Sequence, residues 1–448
     1  MTALSDFLSE NPQMESIDVL VIDLCGNAIG KRLPISAAPS LFSNGTPVCA
    51  AMQLVDVLGN TADPMGYGFS DGDPDGLAIP IHDAPVAVPW LDGRKCQVLC
   101  QMHDAVDHKI VWYDPRAILQ NVLNRFDELP FQPVIAAELE FYFIAAERLS
   151  DGAPLPVSSP RTGLTESQGR VLSLDKLDEF ESVLSAIETA CRQQNLPVTS
   201  MISEYGAGQF EINLQHQSDV LAAADHAALL RRAITGVSRS CGIDATFLSK
   251  PFEGESGNGF HVHLSLVDKA GNNVFSPDAE NGDALLSQAA AGLAATMGES
   301  MALFAPNLNV YRRFKPDEFV PVTRDWGDNN RSVAFRVPPS PADSRRLEHR
   351  VSGAEANPYL VFACVLAGIH YGLTQALDGA EKTSGNAGAS VDSSLPLTLW
   401  QALDQLDAAT ILPDYLGSDY ISLYSTVKRE EFAEFMSGHF AREYAWYL

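Results

Sequence analysis

Alternating apolar and polar residues characterise the first hundred positions of the chain. The pattern is clearest in IDVLVIDLCG from position 17, CAAMQLVDV from position 49 and KCQVLCQMHD from position 95. A period of two is typical of strands, so these segments predict three strands joined by turns. After about residue 114 the period changes. Apolar residues recurring every three or four positions predict helices over 174–195 and 219–242.

This change of period divides the chain into two predicted domains. We expect a small β-rich domain over residues 15–108 and a larger α+β domain over 114–448. Stretches rich in Gly, Pro, Asp and Ser predict three loops, over 63–76, 151–169 and 379–396. The most apolar run, 359–369, is too short to span about 30 Å of hydrocarbon, so it predicts a buried helix.

The charge of the chain is strongly negative. Of 448 residues, 57 are acidic and 30 are Lys or Arg, which gives a formal net charge of −27. Nucleic acids and anionic membranes need a basic face, so this balance argues against both as partners. It permits a cationic ligand, although a large enzyme can carry such a charge for solubility alone.

Cysteine usage and the N-terminal residues bear on the compartment. The seven cysteines are odd in number and contain no C-x-x-C pair, which argues against a disulfide framework. The first residues, MTALSDFLSENPQ, have no basic stretch followed by an apolar one, so we expect no signal peptide. Together these features predict a soluble, cytoplasmic protein.

Several predicted strands place acidic residues where a buried strand is normally apolar. In the segment AELEFYF, Leu139 and Phe141 share one face of the strand. Glu138 and Glu140 share the other face, about 6.6 Å apart along the strand. Three further segments have the same one-sided arrangement, with the polar residues Gln209, Glu211, Asn213, His261, His263, Ser265, Glu348 and Arg350.

An antiparallel sheet with its outer face in water would explain any one of these strands. It explains the four together less well, because crowded carboxylates repel one another unless cations neutralise them. Oxygen-rich sites with one imidazole suit Mg²⁺ or Mn²⁺ better than Zn²⁺, and such sites commonly hold nucleotide phosphates. The strand faces therefore predict a divalent-metal site for phosphoryl transfer. A zinc hydrolase built on His261 and His263 is the alternative, but the neighbouring candidate ligands are carboxylates.

A cluster of arginines is the second group of candidate functional residues. Eight of the chain's 30 basic residues are arginines between positions 312 and 350. Arg is the planar, permanently charged partner of carboxylates and phosphates, and it stabilises charge on a transferring phosphoryl group. Ion pairing with the sheet's own acids is the structural alternative for this cluster.

The glycine-rich run GESGNG over 254–259 is a weak signal by itself and is compatible with a plain turn. With KPF before it, FH after it and Ser265 beyond, it resembles the ATP-binding signature of the glutamine synthetase family. The resemblance covers nearly the whole chain. Its further motifs lie at 23–33, 137–143, 204–211, 330–332, 346–350 and 356–360.

The resemblance implies a fold and two metal positions. The fold would combine a small N-terminal β-grasp domain with a catalytic domain, whose curved antiparallel sheet is flanked by helices. Each active site would hold two or more Mg²⁺ or Mn²⁺ ions. The ion that positions glutamate and the acyl phosphate would be held by Glu140, Glu204 and Glu211. The ion that bridges the ATP phosphates would be held by Glu138, His261 and Glu348.

The resemblance also implies roles for other residues. Glutamate would be bound by Arg313, Arg350 and the backbone at Gly257. The nucleotide and its phosphates would be contacted by His263, Ser265, Arg331, Arg336 and Arg346. Arg331 and Arg336 would be catalytic, in a reaction that phosphorylates the γ-carboxylate of glutamate with ATP before an amine attacks. Glu318, the acid of this chain nearest to the family's catalytic flap glutamate, is the third catalytic candidate.

The departures from the family concern the second substrate. The family's flap has the form P-G-Y-E-x-P, but Phe319 occupies the position of its glutamate and Glu318 lies one residue early. The ammonium-binding D-G-S-S is absent, and Asp56 is the candidate for its aspartate. Ser256 replaces the usual Asn of the glycine-rich loop. A site that has lost its ammonium ligands and gained Phe319 suits a larger, partly apolar amine.

The sequence therefore predicts a γ-glutamylpolyamine or γ-glutamylmonoamine synthetase, acting in amine catabolism or detoxification. Asp56 and Phe319 are its amine-site candidates. Ordinary glutamine synthetase and an inactive structural or regulatory member are the alternatives. Family members assemble as stacked rings with active sites between subunits, so the resemblance implies a homo-oligomer, a dodecamer being the expectation.

Overall fold

The computed structural model describes residues 3–438. Residues 439–448, which end the larger predicted domain, lie outside this range, as do the first two residues of the N-terminal segment. Within the described range the chain forms one sheet of six strands and another of nine strands. Helices and sheets are both present, as the α+β prediction requires.

The first sheet is built by the N-terminal part of the chain. Its strands are β1 (Ser16–Ile22), β2 (Ala28–Pro34), β3 (Thr46–Cys49), β4 (Asp75–Pro80), β5 (Val86–Ala87) and β6 (Lys95–His103). The order is β2-β1-β6-β4-β3, and β5 pairs with β6. Strands β1 and β6 are parallel, whereas the other pairs are antiparallel. Two helices accompany this sheet, α1 (Ala3–Glu10) and α2 (Ala38–Asn44).

The segment that begins at Cys49 is not the strand that its alternation predicts. Strand β3 ends at Cys49, and Ala50–Leu54 form a 3-10 helix. Gln53 is buried there, and its Nε2 donates to Ile22 O at 3.1 Å and to Asp114 Oδ2 at 3.0 Å. A polar side chain thus occupies an interior position. The alternation of polar and apolar residues is therefore no guide to which side chains are buried in this segment.

The second sheet belongs to the larger part of the chain. Its strands are β7 (Phe131–Arg148), β8 (Pro154–Pro156), β9 (Val198–Ser203), β10 (Gln209–Leu214), β11 (Asp244–Thr246), β12 (Phe260–Asp268), β13 (Trp326–Asp328), β14 (Phe335–Val337) and β15 (Leu347–His349). The order is β13-β14-β15-β12-β7-β10-β9, with β8 and β11 also pairing with β7. The pairs are antiparallel except β13–β14.

Helices complete the larger part. They are α3 (Pro115–Arg125), α4 (Leu174–Glu179), α5 (Glu181–Gln193), α6 (Val220–Ser240), α7 (Gly282–Phe304), α8 (Pro358–Thr374), α9 (Leu399–Asp407), α10 (Pro413–Leu416) and α11 (Ser418–Ser437). Helix α8 is buried along nearly its whole length, which confirms the buried helix predicted over 359–369. Among the described helices, none combines the length and the apolar character needed to cross a membrane.

The helix predicted over 174–195 is two helices. Helix α4 ends at Glu179 and α5 begins at Glu181, with Phe180 between them in a non-helical conformation. Phe180 is fully buried, and its ring stacks on Phe143 at 5.5 Å between centroids. The sheet's apolar core thus holds this aromatic side chain and interrupts the helix. The helix predicted over 219–242 is α6, whose N-terminus is capped by the Asp219 side chain.

Helices α7 and α8 cross at unusually short range. A Cβ atom added to Gly292 of α7 would lie 2.0 Å from the carbonyl oxygen of Gly368 and 2.5 Å from the amide nitrogen of Gly372. Only hydrogen at these positions lets the two backbones approach so closely. The glycines therefore determine the spacing of α7 and α8.

Buried polar contacts join the two parts of the chain. The Asn357 side chain, which caps α8, donates from Nδ2 to Asp23 O at 2.9 Å. Arg232 of α6 donates from Nη2 to Asp18 Oδ2 of β1 at 3.0 Å. Lys428 of α11 is almost fully buried, and its ammonium group lies 3.3 Å from the Cys25 thiol. The N-terminal sheet is thereby attached to three helices of the larger part.

Candidate active site

The polar face of the larger sheet forms the floor of an open cavity of about 730 Å³. Its floor is made by β7, β10, β12, β14 and β15. Loops close its sides, including the glycine-rich loop and the segment around Phe319. The residues of the predicted site that line it are Glu138, Glu140, Glu204, Glu211, Gly257, His261, His263, Arg313, Glu318, Phe319, Arg331, Arg336, Arg346, Glu348 and Arg350.

Strand register brings the acidic and imidazole side chains together. Glu211 of β10 lies opposite Glu140 of β7, and His261 of β12 lies opposite Glu138. His263, two residues further along β12, lies opposite Glu348 of β15. Directly opposed residues in an antiparallel pair have Cβ atoms about 5 Å apart. Four strands that are distant in sequence therefore present their polar residues to one volume.

Two groups of side chains could hold a metal ion. In each group the three ligand atoms lie within 4.8 Å of one another. The first group, Glu138, His261 and Glu348, is the set that the family resemblance implies. The second consists of Glu140, Glu211 and His261, so His261 takes the place expected for Glu204. Oxygen-rich sets with one imidazole fit Mg²⁺ or Mn²⁺.

Glu204 and Glu211 have strongly perturbed acidities. Burial, followed by repulsion from the Glu140 carboxylate, raises the pKa of Glu204 to about 8. Burial also raises the pKa of Glu211 well above its ordinary value, with further repulsion from Glu138 and Glu140. These carboxyl groups cannot all be ionised in a buried cluster without a compensating cation. The donor set thus fits a divalent metal on electrostatic as well as geometric grounds.

Glu138 and Glu348 show the opposite behaviour. Burial by itself would raise the pKa of each carboxyl group. For Glu138 the neighbouring imidazoles of His263 and His261 outweigh burial and hold the pKa well below its ordinary value. For Glu348 the Arg350 guanidinium is the main opposing influence and lowers the pKa to about 2. Both carboxylates are therefore ionised and available as ligands at neutral pH.

Glu348 is also the anchor of two arginines. Arg336 donates from Nη1 to Glu348 Oε2 at 2.7 Å, and Arg350 donates to the other carboxylate oxygen. Within the described chain, Nε of Arg336, Arg350 and Arg313 is buried and has no acceptor. Arg313 is 2% exposed and lies against the glycine-rich loop. Such orphaned donors fit a site that receives an anionic ligand.

The glycine-rich loop is held in place by two side chains from the sheet. Gln209 donates from Nε2 to Gly257 O at 3.0 Å, and the Tyr142 hydroxyl donates to Ser256 O at 2.8 Å. A Cβ atom on Gly257 would lie 2.7 Å from Arg313 Cγ. The loop is therefore packed against the candidate glutamate-binding arginine. Gln209 could have been found from the sequence, because it shares the polar face of its strand with Glu211.

A second cavity of about 390 Å³ adjoins the first and shares Glu138, His263 and Arg346 with it. His263 contacts Glu138 Oε1 through Nε2 at 2.6 Å, and Arg346 donates from Nε to His263 Nδ1 at 3.0 Å. His216, which the motifs did not indicate, also lines this cavity. Ser265 is buried two residues further along β12 and is not among the described residues that line either cavity.

The two amine-site candidates lie in different places. Phe319 lines the main cavity, and its ring centroid lies 6.0 Å from that of Tyr205. Asp56 does not line the cavity formed by the described chain, and its Oδ1 accepts from the Leu58 and Asn60 amides at 2.8 Å. The described chain therefore does not bring Asp56 to the cavity that Phe319 lines. Glu318 lines the cavity, 3.7 Å from the Lys250 ammonium group.

Comparison with known proteins agrees with this geometry. Residues 112–447 match the family described as glutamine synthetase, catalytic domain. The gamma-glutamylputrescine synthetase PuuA of Escherichia coli (strain K12) is 36% identical over 433 residues, which cover 96% of this chain and 90% of that protein. The glutamate–isopropylamine ligase of a Pseudomonas species is 29% identical over 391 residues, covering 85% of this chain and 83% of that protein.

The fold comparison points the same way. A solved structure described as a GmaS/ADP complex, conformation 1, has a TM-score of 0.83 and 26% sequence identity to this chain. The match covers 99% of this chain and 98% of that one. The family match spans well over half of the chain, and a relative with 36% identity covers almost all of it. The chain therefore belongs to the glutamine synthetase family.

Proposed function

We propose that the protein is an ATP-dependent ligase that joins the γ-carboxylate of glutamate to an organic amine. The choice of an organic amine over ammonium rests on one observation of the site. The family's acidic flap position holds Phe319, whose exposed ring lines the cavity beside Tyr205. Two relatives with this activity in their names, a γ-glutamylputrescine synthetase and a glutamate–isopropylamine ligase, support the same choice.

Two divalent ions would be held by the acidic cluster. We assign Glu138, His261 and Glu348 to one ion, and Glu140 and Glu211 with Glu204 or His261 to the other. When bound, such ions neutralise the phosphate charges and polarise the transferring group. The ligand groupings support this assignment, and Mg²⁺ or Mn²⁺ is the cation that the donor atoms favour.

The arginines would then bind and orient the anionic substrates. Arg313 and Arg350 would bind glutamate beside Gly257, while Arg331, Arg336 and Arg346 would face the ATP phosphates. His263 and Ser265 would lie on the nucleotide side. The glutamate γ-carboxylate attacks the terminal phosphorus of ATP, and ADP leaves. Fixed positive groups around this centre stabilise its charge without reorganising.

The amine must lose a proton before it can react. An alkylammonium group has a pKa near that of Lys, about 10.4, so the site must favour its neutral form. An apolar wall that includes Phe319 removes water from the ammonium group and favours deprotonation. Glu318 is the acid that we assign to accept the proton. The neutral nitrogen then attacks the γ-carbonyl carbon of γ-glutamyl phosphate, and phosphate leaves.

The organisation around this site follows from the family. We propose that residues 15–108 form the β-grasp domain and residues 114–448 the catalytic domain. Asp56 does not line the cavity of its own chain. In a homo-oligomer, Asp56 of one subunit would instead lie at the cavity of the neighbouring subunit. A cytoplasmic location agrees with the seven cysteines, which are all free.

Phosphate release tests the proposed reaction. Purified protein with ATP, Mg²⁺ and glutamate should release phosphate faster with an organic amine than with ammonium at equal concentration of the neutral form. Equal or faster release with ammonium would restore ordinary glutamine synthetase. Release with neither nucleophile, despite ATP binding, would indicate an inactive member. Mass spectrometry of the γ-glutamylamide product provides the control that phosphate release reports ligation.

A further inference from the structure

The cavity has an apolar side as well as a charged side. Four large hydrophobic residues that line it are exposed: Val171 at 37%, Leu172 at 72%, Tyr205 at 53% and Phe319 at 57%. They come from three separate segments of the chain. Exposed apolar groups that converge on one wall of a cavity mark a binding surface rather than chance exposure.

The aromatic pair gives this wall its shape. The rings of Tyr205 and Phe319 have centroids 6.0 Å apart and planes tilted by 35°. Tyr205 directly follows Glu204, so the wall begins beside the acidic cluster. An aliphatic chain lying against two rings would bury its methylene groups there. The wall thus suits the carbon chain of an alkylamine whose reacting nitrogen lies on the side of the acidic cluster.

Three acids outside the proposed metal cluster also line the cavity, and two of them already have partners. Glu318 lies 3.7 Å from the Lys250 ammonium group, and Asp317 Oδ1 accepts from Asn386 Nδ2 at 2.7 Å. Asp317 is exposed and its partner is a neutral amide, whereas the third acid, Glu255, is more deeply placed. It is half-buried, and its Oε2 accepts from the Ala207 amide at 3.3 Å, two residues beyond Tyr205.

Glu255 lacks a cationic partner. The Lys250 ammonium group contacts the carbonyl oxygen of Glu255 and the carboxylate of Glu318. Within residues 3–438, no Lys or Arg nitrogen lies within 4.0 Å of the Glu255 carboxylate. A half-buried carboxylate with one weak amide donor has unused acceptor capacity. It therefore provides a site for a cation delivered by a ligand.

We propose that this wall and Glu255 form a subsite for the far end of the amine, and that the substrate is a short aliphatic diamine. One nitrogen would react, the methylene chain would lie along Tyr205 and Phe319, and the second, charged nitrogen would pair with Glu255. This inference rests on the proposed ligase activity. A monoamine of equal length would fill the apolar wall but leave the carboxylate unpaired.

A matched pair of amines tests the subsite. Values of kcat/KM for 1,4-diaminobutane and n-butylamine should be measured by phosphate release with the wild type, Glu255→Gln and Glu253→Gln. Glu253 is an exposed acid in the same loop that does not line the cavity, so its variant is the charge-matched control. The wild type and the control should prefer the diamine by about tenfold or more. In Glu255→Gln this preference should be lost, with the n-butylamine value unchanged.

The outcomes separate the subsite from the reaction itself. Failure of every amine to release phosphate would overturn the proposed function. Active wild type without diamine preference would overturn the subsite alone. An equal fall in kcat/KM for both amines in Glu255→Gln would also overturn the subsite, because Glu255 would then act in the step that both amines share. Phe319→Ala is a second test, since it should lower kcat/KM for both amines and preserve the diamine preference.

Discussion

We expect the metal-free protein to lose stability as the pH rises from about 6.5 to about 8. Burial and then the Glu140 carboxylate raise the pKa of Glu204 to about 8 from an ordinary value of 4.5. The pKa of Glu211 is raised in the same direction, chiefly by burial. In this interval the folded protein holds protons that the unfolded chain has released. Its stability must therefore fall as the pH rises.

The size of the effect follows from the proton count. Each carboxyl group that stays protonated only in the folded state contributes about 1.4 kcal/mol per pH unit. Over 1.5 units this amounts to about 2 kcal/mol for Glu204 alone. Below pH 6.5, which is the ordinary pKa of histidine, His216 and His349 have the opposite effect, so that they make stability rise with pH. Burial lowers their pKa to about 4 and about 3, so the unfolded chain binds protons first. Above pH 6.5 these two histidines no longer oppose the acidic cluster. His263 acts in the same sense as the cluster there, because its interaction with the Glu138 carboxylate outweighs burial and raises the pKa of the imidazole.

Urea denaturation between these pH values, with EDTA or with excess Mg²⁺, measures the effect. The midpoint in EDTA should fall with pH, while Mg²⁺ should restore it most strongly at the high end, because the cation binds the ionised cluster. Glu204→Gln is the matched control, and its midpoint in EDTA should fall less steeply. A metal-free midpoint that is constant or rises over this interval would refute the electrostatic account of the site.

Two substitutions test other parts of the structure. Glu348→Gln should cost about 3–5 kcal/mol and abolish phosphate release, because it leaves the buried guanidinium groups of Arg336 and Arg350 without their carboxylate. A free energy of unfolding within about 1 kcal/mol of the wild-type value, measured by urea denaturation, would contradict this prediction. Gly292→Ala should cost about 1–3 kcal/mol, since its Cβ would overlap the backbone of α8. Gly298→Ala, whose Cβ would meet only a flexible glutamine end, should be tolerated, and thermal unfolding distinguishes the two variants.

Strand faces could be predicted from the sequence, because each strand of the site has a uniform period over its length. The positions of Glu138, Glu211 and His261 on one face required only that period, and the observed register brings them together. The motifs of the family could likewise be located by their residues alone. The features that could be predicted were therefore those that depend on a short segment of sequence and those that the motifs of a known family locate.

Contacts between distant segments could not be predicted in this way. Phe180 interrupts a regular helical pattern because it packs on the core of the sheet, and nothing in its own segment indicates the break. Gln53 occupies an interior position because of partners elsewhere in the chain. The contact between Tyr205 and Phe319 joins residues from two separate loops. Each of these features depends on tertiary packing, which the spacing of one segment does not encode.

Strand β7 has a consequence for how this site can change during evolution. It supplies Glu138 to one proposed metal group and Glu140 to the other, with Leu139 between them in the core. The separation of the two groups is therefore set by the backbone of one strand. A substitution that displaces Leu139 would move both groups together. Strand β12 couples the two groups as well, because His261 belongs to both. Independent adjustment of either metal position would have to come from β10, which carries Glu211, or from β15, which carries Glu348.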